Sequence, residues 1–286
     1  MDPKIVALYE QYAAGRMDRR DFLKSLTAIA GGSAAAAGLL QALEAGGGPG
    51  QVVAPDDPRL ATERLTYPAG TTAMKAYFAR PKGEAKRPAV LVIHENRGLN
   101  PHIEDVARRF AAEGYLALAP DALTPLGGTP TDPNAATPLF QKLDREENTK
   151  NFVAAVRYLM THPLSTGKVG CTGFCWGGGT TNQVAVHSPD LRAAAPFYGI
   201  QPAAEDVPKI KAAMLIHYAA QDDRINAGIA AFEDALKKAG VDYKIFVYEG
   251  AQHAFFNDTN GARYNKDAAQ LAWQRTLAFF NEKLKS

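Results

Sequence analysis

The sequence predicts an α/β fold in which helices cover both faces of a mostly parallel sheet. Short continuous apolar runs, typical of strands buried on both faces, alternate with longer segments of helical periodicity. The chain has 286 residues, 46% hydrophobic and 22% charged, so it can bury a large core without disulfides or metals. In such sheets, ligands bind beyond the carboxyl ends of the strands.

The first two predicted strands form an antiparallel hairpin at the entry to the sheet. They cover residues 63–68 and 73–80, and Gly70 lies in the turn between them. The remaining strands are short apolar runs at 88–93, 115–119, 167–173, 193–198, 212–218 and 243–248. The segments between most of these runs are long enough for the helical crossovers that parallel strands need.

Five helices are predicted where apolar residues recur every three to four positions. They cover residues 103–113, 146–160, 176–187, 225–239 and 267–283. Gly240 follows the fourth helix directly and is a suitable left-handed C-cap. Residues 124–138 contain two glycines and four prolines and are predicted to be a loop.

The N-terminal segment resembles a twin-arginine export signal. The pair Arg19 and Arg20 precedes residues 25–43, which are rich in alanine and glycine and carry no charge. Glu10 and Asp18 before the pair depart from that pattern, and no clean cleavage site follows. The alternative is an amphipathic N-terminal helix of a cytoplasmic protein.

The chain is therefore divided into three parts. Residues 1–45 are predicted to be the signal, the Gly- and Pro-rich residues 46–59 a linker, and residues 60–286 the folded domain. We expect the twin-arginine export machinery as a partner and the periplasm as the location.

Charge and motifs exclude several classes of function. The formal net charge is +2, from 32 basic and 30 acidic residues without a basic cluster, so no nucleic-acid partner is expected. We find no metal-ligand cluster and no fingerprint for a dinucleotide or phosphate, and hence predict no cofactor and no metal.

A G-x-nucleophile-x-G motif lies between a predicted strand and the helix that follows it. Cys175 is its central residue, and Gly173 and Gly177 leave room for a strained turn that lifts the thiol above the sheet edge. The positive end of the helix is expected to lower the thiol pKa and favour the thiolate. Cys171, inside the strand, is predicted to pack as a small apolar residue.

A cysteine nucleophile needs a histidine base and an acid that orients the histidine. His253 follows the last strand, and Asp222 and Asp223 follow the strand before it, so that all three lie beyond the carboxyl edge of the sheet. Either aspartate could take the role. The order nucleophile, acid, histidine is typical of α/β-hydrolases.

The other histidines give weaker signals. His94 and His217 stand at strand ends, where they could reach the site or pack as hydrogen-bonded core residues. The remaining three lie at helix boundaries and are expected at the surface: His102, His162 and His187.

These residues occur in motifs that resemble the dienelactone hydrolase family, also called carboxymethylenebutenolidases. The likeness covers nearly all of residues 60–284. Cysteine at this turn is unusual among α/β-hydrolases, which makes the combination specific. The motifs lie at residues 94–99, 114–115, 119–121, 170–178, 221–222 and 250–255.

The resemblance implies a triad of Cys175, His253 and Asp222. It selects Asp222 over its neighbour because a β-branched residue, Ile225, follows three places on. It also implies that Glu95 lies beside the resting thiol and helps to activate it. The alternative for Glu95 is a surface salt bridge.

One position departs from the family pattern. A basic residue shortly after the histidine is associated in the family with binding a substrate carboxylate, and this chain has Asn257 there. A cation from the loop around Arg145 could replace it. The departure concerns the preference for acidic dienelactones and leaves ester or lactone hydrolysis as the expected activity.

The expected reaction opens a small-molecule ester or lactone through a thioester on Cys175. The backbone N–H groups of Asn96 and Trp176 are expected to hold the oxyanion. One alternative is another hydrolase on the same fold, such as a thioesterase or a cysteine peptidase. The other is a non-catalytic protein that binds ligands or senses thiol oxidation.

Overall fold

The centre of the molecule is an eight-stranded sheet. Its strand order is β1-β2-β4-β3-β5-β6-β7-β8. The pairs β1–β2 and β2–β4 are antiparallel and the other pairs are parallel, which confirms the predicted α/β fold and its entry hairpin. The strands are β1 Leu60–Ala69, β2 Thr72–Pro81, β3 Arg87–Ile93, β4 Leu116–Pro120, β5 Ser165–Phe174, β6 Ala193–Phe197, β7 Ala213–Gln221 and β8 Tyr243–Gln252.

The computed structural model describes most of the chain. The described residues are 4–5, 8, 11–12, 17–32, 36 and 51–285. The helices among them are α1 Arg19–Ala30, α2 Pro101–Ala112, α3 Pro133–Phe140, α4 Arg145–Thr161, α5 Trp176–His187, α6 Asp223–Asn226, α7 Ile229–Ala239 and α8 Lys266–Phe280.

Two predictions about helices were wrong in detail. Residues 124–138 are not a continuous loop, because they contain the 3₁₀ turn Thr124–Leu126 and the start of α3. Proline is tolerated in the first turn of a helix, where its missing N–H needs no acceptor. The helix expected at 225–239 is divided into α6 and α7. Gly240, with φ of 66°, ends α7 as predicted.

Helices on each face of the sheet enclose a separate apolar core. Helices α2 and α8 cover one face and bury side chains such as Phe110 and Phe280. Helices α4, α5 and α7 cover the other, with Phe152, Val184 and Leu236 in the core. Both faces of the central strands are therefore buried, as their continuous apolar sequences require.

The paired arginines lie at the start of α1. The Asp18 carboxylate accepts a hydrogen bond from the Asp21 N–H at 2.8 Å, and Gly31 ends the helix with φ of 76°. Phe22 and Leu26 are buried in a small cluster. Most of the apolar stretch 25–43 falls outside the described residues. Among the helices that the structure describes, none is long and apolar enough to cross a membrane.

The residues just before β1 are attached to the sheet domain by one buried carboxylate. Asp105 on α2 accepts hydrogen bonds from the N–H groups of Val53 at 2.8 Å and Val52 at 3.0 Å. The Arg109 Nε donates to the same carboxylate at 2.8 Å. The fully buried Arg108 donates from Nε to the Val53 carbonyl at 2.8 Å. These bonds fix the path of residues 51–53 over α2.

Substitution of Asp105 by alanine is expected to lower the free energy of unfolding by about 3 kcal/mol, because the N–H groups of Val52 and Val53 lose their acceptor and the Arg109 guanidinium loses a carboxylate partner. Urea unfolding followed by circular dichroism measures this change. The control is Asp234→Ala, which removes only an exposed ion pair with Lys238 and should change stability by less than about 0.5 kcal/mol. Equal effects of the two substitutions would contradict the assigned role of Asp105.

Candidate active site

Strand register places Glu95 beside Cys175. Ile93 of β3 pairs with Gly173 of β5, and each of the two site residues follows its paired residue by two positions. Both therefore lie just beyond the carboxyl edge of neighbouring parallel strands. Glu95 is 6% exposed and Cys175 is half-buried.

The same argument places the acid and the histidine together. Gln221, the last residue of β7, pairs with Gln252, the last residue of β8. Asp222 and His253 directly follow the two strands. The Asp222 Oδ2 and the His253 Nδ1 are 2.5 Å apart. Asp222 is buried, whereas Asp223 is exposed in the first turn of α6. The geometry thus brings His253 to the aspartate that the family resemblance selects.

Cys175 occupies a strained turn between β5 and α5. Its φ is 56° and ψ is −114°, a backbone conformation that residues with a side chain rarely adopt. A Cβ on Gly173 would lie 2.3 Å from the Gly177 carbonyl oxygen. A Cβ on Gly177 would lie 2.4 Å from the carbonyl oxygens of Ile93 and His94. Both glycines are therefore required, as the motif indicated.

The resting thiol of Cys175 is neutral, contrary to the expected thiolate. Burial, followed by the negative charge of Glu95, raises the pKa of Cys175 to about 11. The Trp176 N–H and the charge of Arg224 lower it, but by less. The helix end acts in the predicted direction and is outweighed because the thiolate would be desolvated beside a carboxylate. Burial raises the pKa of Cys171, which lies in the core, to about 12.

Asn257 holds one oxygen of the Glu95 carboxylate. Its Nδ2 donates to Glu95 Oε2 at 2.6 Å, and its Oδ1 accepts from the Thr259 hydroxyl at 2.6 Å. Asn257 is buried and faces the carboxylate. Glu95 thus pairs with an amide, and the alternative of a surface salt bridge was wrong because its side chain is buried.

A buried charge network anchors the loop that carries Asn257. Asp258 accepts a hydrogen bond from His102 Nδ1 at 2.9 Å and also binds the Arg109 guanidinium. Burial raises the pKa of Asp258, but its hydrogen bonds and electrostatic interactions with His102 and Arg109 outweigh burial, and the net pKa is lowered. The expectation of a surface position for His102 was wrong, because its side chain is buried against this carboxylate.

His94 and His217 are hydrogen-bonded core residues. His94 Nδ1 lies 2.7 Å from the Glu95 carbonyl oxygen, and its Nε2 accepts from the Ala122 N–H at 3.1 Å. His217 lies between the hydroxyls of Tyr248 and Thr276, at 2.9 and 3.0 Å. Burial, with the Arg275 charge, lowers the pKa of His217 to about 3. As for the remaining two histidines, His187 is exposed as expected, while His162 is half-buried.

Sequence reasoning missed Tyr198, which follows β6 next to the elbow. Phe174 pairs with Phe197, so Cys175 and Tyr198 are the next residues on adjacent strands. Tyr198 is fully buried with φ of 38°, and its ring centroid lies 5.0 Å from that of His253. The only sequence signal was its place directly after a buried strand.

An open cleft of about 1280 Å³ leads to Cys175. Asn96 and Trp176, the two predicted oxyanion donors, both line it. The apolar residues on its lining include Phe140, Leu143, Val153, Trp176 and Ile200. The cations on its lining are Lys150, Arg145, Arg157, Arg224 and, if protonated, His187.

Within the described part of the chain, no group of three or more His, Cys, Asp or Glu side chains could hold a metal ion.

A mostly parallel sheet in this order, with a strained cysteine after β5 and an Asp–His pair after β7 and β8, defines the α/β-hydrolase class. The profile of the Dienelactone hydrolase family matches residues 74–284. The chain belongs to this family and is a hydrolase.

Three relatives illustrate the likeness. A Saccharolobus solfataricus protein named "Putative carboxymethylenebutenolidase" is 33% identical over 255 residues, covering 76% of this chain and 97% of that protein. The structure titled "Putative Dienelactone Hydrolase" from Klebsiella pneumoniae is 31% identical with a TM-score of 0.70, covering 77% and 98% of the two chains. A dienelactone hydrolase-like promiscuous phosphotriesterase from metagenomic libraries is 26% identical with a TM-score of 0.72, covering 79% and 99%.

Alkylation of Cys175 by iodoacetamide is expected to accelerate about tenfold per pH unit from pH 7 to pH 10, because only the thiolate reacts and the pKa is about 11. Glu95→Gln removes a negative charge that raises the pKa, so its profile should shift to lower pH. Mass spectrometry of the labelled peptide gives the rate. Glu205→Gln, an exposed control, should leave the profile unchanged. A wild-type rate that is already constant above pH 7 would contradict the neutral resting thiol.

Proposed function

We propose that this hydrolase opens esters or lactones by nucleophilic attack of Cys175 through a thioester intermediate. The observation that carries this proposal is the 2.5 Å contact between Asp222 and His253, formed at the sheet edge that also carries the strained elbow of Cys175. A small-molecule ester or lactone substrate fits a hydrolase of this family. Neither alternative, a peptidase or a thiol sensor, has a specific observation in its favour.

The first half of the reaction needs a base for the neutral thiol. Glu95 is buried next to it, and one of its oxygens has no hydrogen-bond partner among the described residues. We propose that this oxygen accepts the proton of the thiol when the reaction begins. The thiolate attacks the acyl carbon, the N–H groups of Asn96 and Trp176 bind the oxyanion, and the C–O bond breaks as the thioester forms. The proton held by Glu95 passes to the leaving oxygen.

The second half clears the thioester with water. His253, whose Nδ1 is held by Asp222, takes a proton from water at Nε2 while the water oxygen attacks the thioester carbonyl. The thiolate leaves and regains its proton from the imidazolium, so that the resting state is restored. Thiolates leave more readily than most alkoxides, and the site therefore suits substrates with good leaving groups, such as enol lactones and aryl esters.

The cleft provides cations for an anionic part of the substrate in spite of Asn257. Arg145 and Arg224 are exposed side chains on its lining, and Arg224 is close enough to lower the pKa of Cys175. Asn257 interacts with Glu95 and is not available for this role. We therefore assign the binding of a substrate carboxylate to the two arginines.

The proposed triad predicts large and selective losses of activity. Cys175→Ala and His253→Ala should each lower kcat/KM for 4-nitrophenyl acetate and for a dienelactone by at least about 10³-fold. Asp222→Asn should lower it by about 10²- to 10⁴-fold, since the imidazole loses its orienting charge.

The chain offers a matched control for each substitution. Cys171→Ala, Asp223→Asn and His162→Ala change the same residue types outside the proposed machinery and should retain wild-type kcat/KM. Mass spectrometry of the quenched reaction should show an acyl group on Cys175. An active Cys175→Ala variant, or equal losses in Asp222→Asn and Asp223→Asn, would show that the triad is wrongly assigned.

We also propose that the full chain is exported through the twin-arginine machinery. The support is the pair Arg19 and Arg20 followed by the uncharged stretch 25–43. In a bacterium that has this machinery, the full chain should appear in the periplasmic fraction, and replacing both arginines by lysine should keep it in the cytoplasm. The control, Arg157→Lys with Arg263→Lys, makes the same change at two exposed arginines outside this segment, and the protein should still be exported. Cytoplasmic retention of the unaltered chain would favour the alternative location.

A further inference from the structure

Tyr198 lies next to Cys175 at the ends of neighbouring strands, and its hydroxyl is buried. It directly follows Phe197, whose partner in the sheet, Phe174, directly precedes Cys175. The Phe197 carbonyl accepts from the Cys175 N–H at 3.1 Å, and the Tyr198 N–H donates to the His217 carbonyl at 2.7 Å. These bonds hold Tyr198 in its left-handed conformation, with φ of 38°, at the position next to the elbow.

The hydroxyl of Tyr198 is an unused donor. It is fully buried and has no hydrogen-bond partner among the described residues. The Phe256 N–H lies close enough to act on the phenol oxygen, but its geometry does not amount to a hydrogen bond. A buried polar group without a partner destabilises the folded protein, so its retention at a reactive centre needs an explanation.

The site also contains an unused acceptor. Glu95 Oε2 is bound by Asn257, whereas Oε1 is buried without a partner among the residues described. Burial, and then the charges of Glu95 and of the Cys175 thiolate, raise the pKa of Tyr198. The phenol therefore stays protonated and can act only as a donor to a negative charge near it.

We propose that the Tyr198 hydroxyl donates a hydrogen bond to the Cys175 sulfur when the thiol proton moves to Glu95 Oε1. The S–H bond breaks, an O–H bond forms on the carboxylate, and the negative charge passes from the carboxylate to the sulfur. Both unused groups are then satisfied in the activated state. This inference depends on the proposed function for the role of Glu95 as acceptor of the thiol proton, and it adds a hydrogen-bond donor that stabilises the thiolate once that proton has moved.

The test is Tyr198→Phe in the full chain, which removes the hydroxyl and keeps the ring that packs on His253. At pH 8, alkylation of Cys175 by iodoacetamide should slow about tenfold, because the thiolate loses a hydrogen bond to a charged atom. The initial release of 4-nitrophenolate should slow by a similar factor with little change in KM. The Tm should be unchanged or higher, because the lost hydroxyl had no partner.

The control is Tyr67→Phe, the same change at another buried tyrosine. Tyr67 donates to the Asn151 carbonyl at 3.1 Å, on the face of the sheet covered by α4. This variant should lower the Tm and leave the alkylation rate and the release of 4-nitrophenolate unchanged. Replacing Tyr198 by 3-fluorotyrosine, a stronger hydrogen-bond donor, should instead accelerate alkylation. This second variant tests the proposal if Tyr198→Phe does not fold.

An unchanged alkylation rate in folded Tyr198→Phe would overturn the proposal. If the Tm also falls, the tyrosine has a purely structural role. Alkylation needs no substrate, so this result is independent of the proposed hydrolysis. If the wild type hydrolyses neither ester nor lactone, the proposed function fails, while a slowed alkylation of Tyr198→Phe would still place the hydroxyl on the sulfur.

Discussion

The active site depends on the close approach of the first turn of α5 to the ends of β3 and β6. Gly177 lies where any side chain would meet the carbonyl oxygens of Ile93 and His94, and a Cβ on Gly178 would likewise meet the Phe197 carbonyl oxygen. Because the helix cannot move away without losing Cys175 from its position, the two strands fix the elbow. Glu95 and Tyr198, which follow these two strands, consequently flank Cys175 on its two sides in the sheet order.

This packing explains why the thiol is neutral at rest. A helix N-terminus stabilises a thiolate only to the extent that water and other charges do not oppose it. Here the same close packing that positions Cys175 removes water from it and brings a carboxylate next to it, and the pKa rises to about 11. A protonated thiol resists oxidation and unselective alkylation, because the thiolate is the reactive form.

Sequence patterns predicted features that depend on local periodicity or on required glycines. The buried strands, the elbow at Cys175 and the position of His253 belong to this group. The buried position of His102 was not predictable, because it depends on Asp258, 156 residues away in the chain. The thiol pKa likewise depends on a balance between burial and charges from several strands. Tyr198 was missed because a tyrosine at the end of a strand has no distinctive spacing.

The loop after β8 connects the two halves of the proposed reaction. It carries His253, which we propose as the base for water, and four residues later Asn257, which holds the carboxylate that we propose as acceptor of the thiol proton. Asp258 then ties the loop to Arg109 and hence to Asp105, which also holds the residues preceding β1. Replacement of the expected cation by Asn257 therefore has a structural consequence: the residue at this position holds the Glu95 carboxylate, and we propose that Arg145 and Arg224 bind a substrate anion instead.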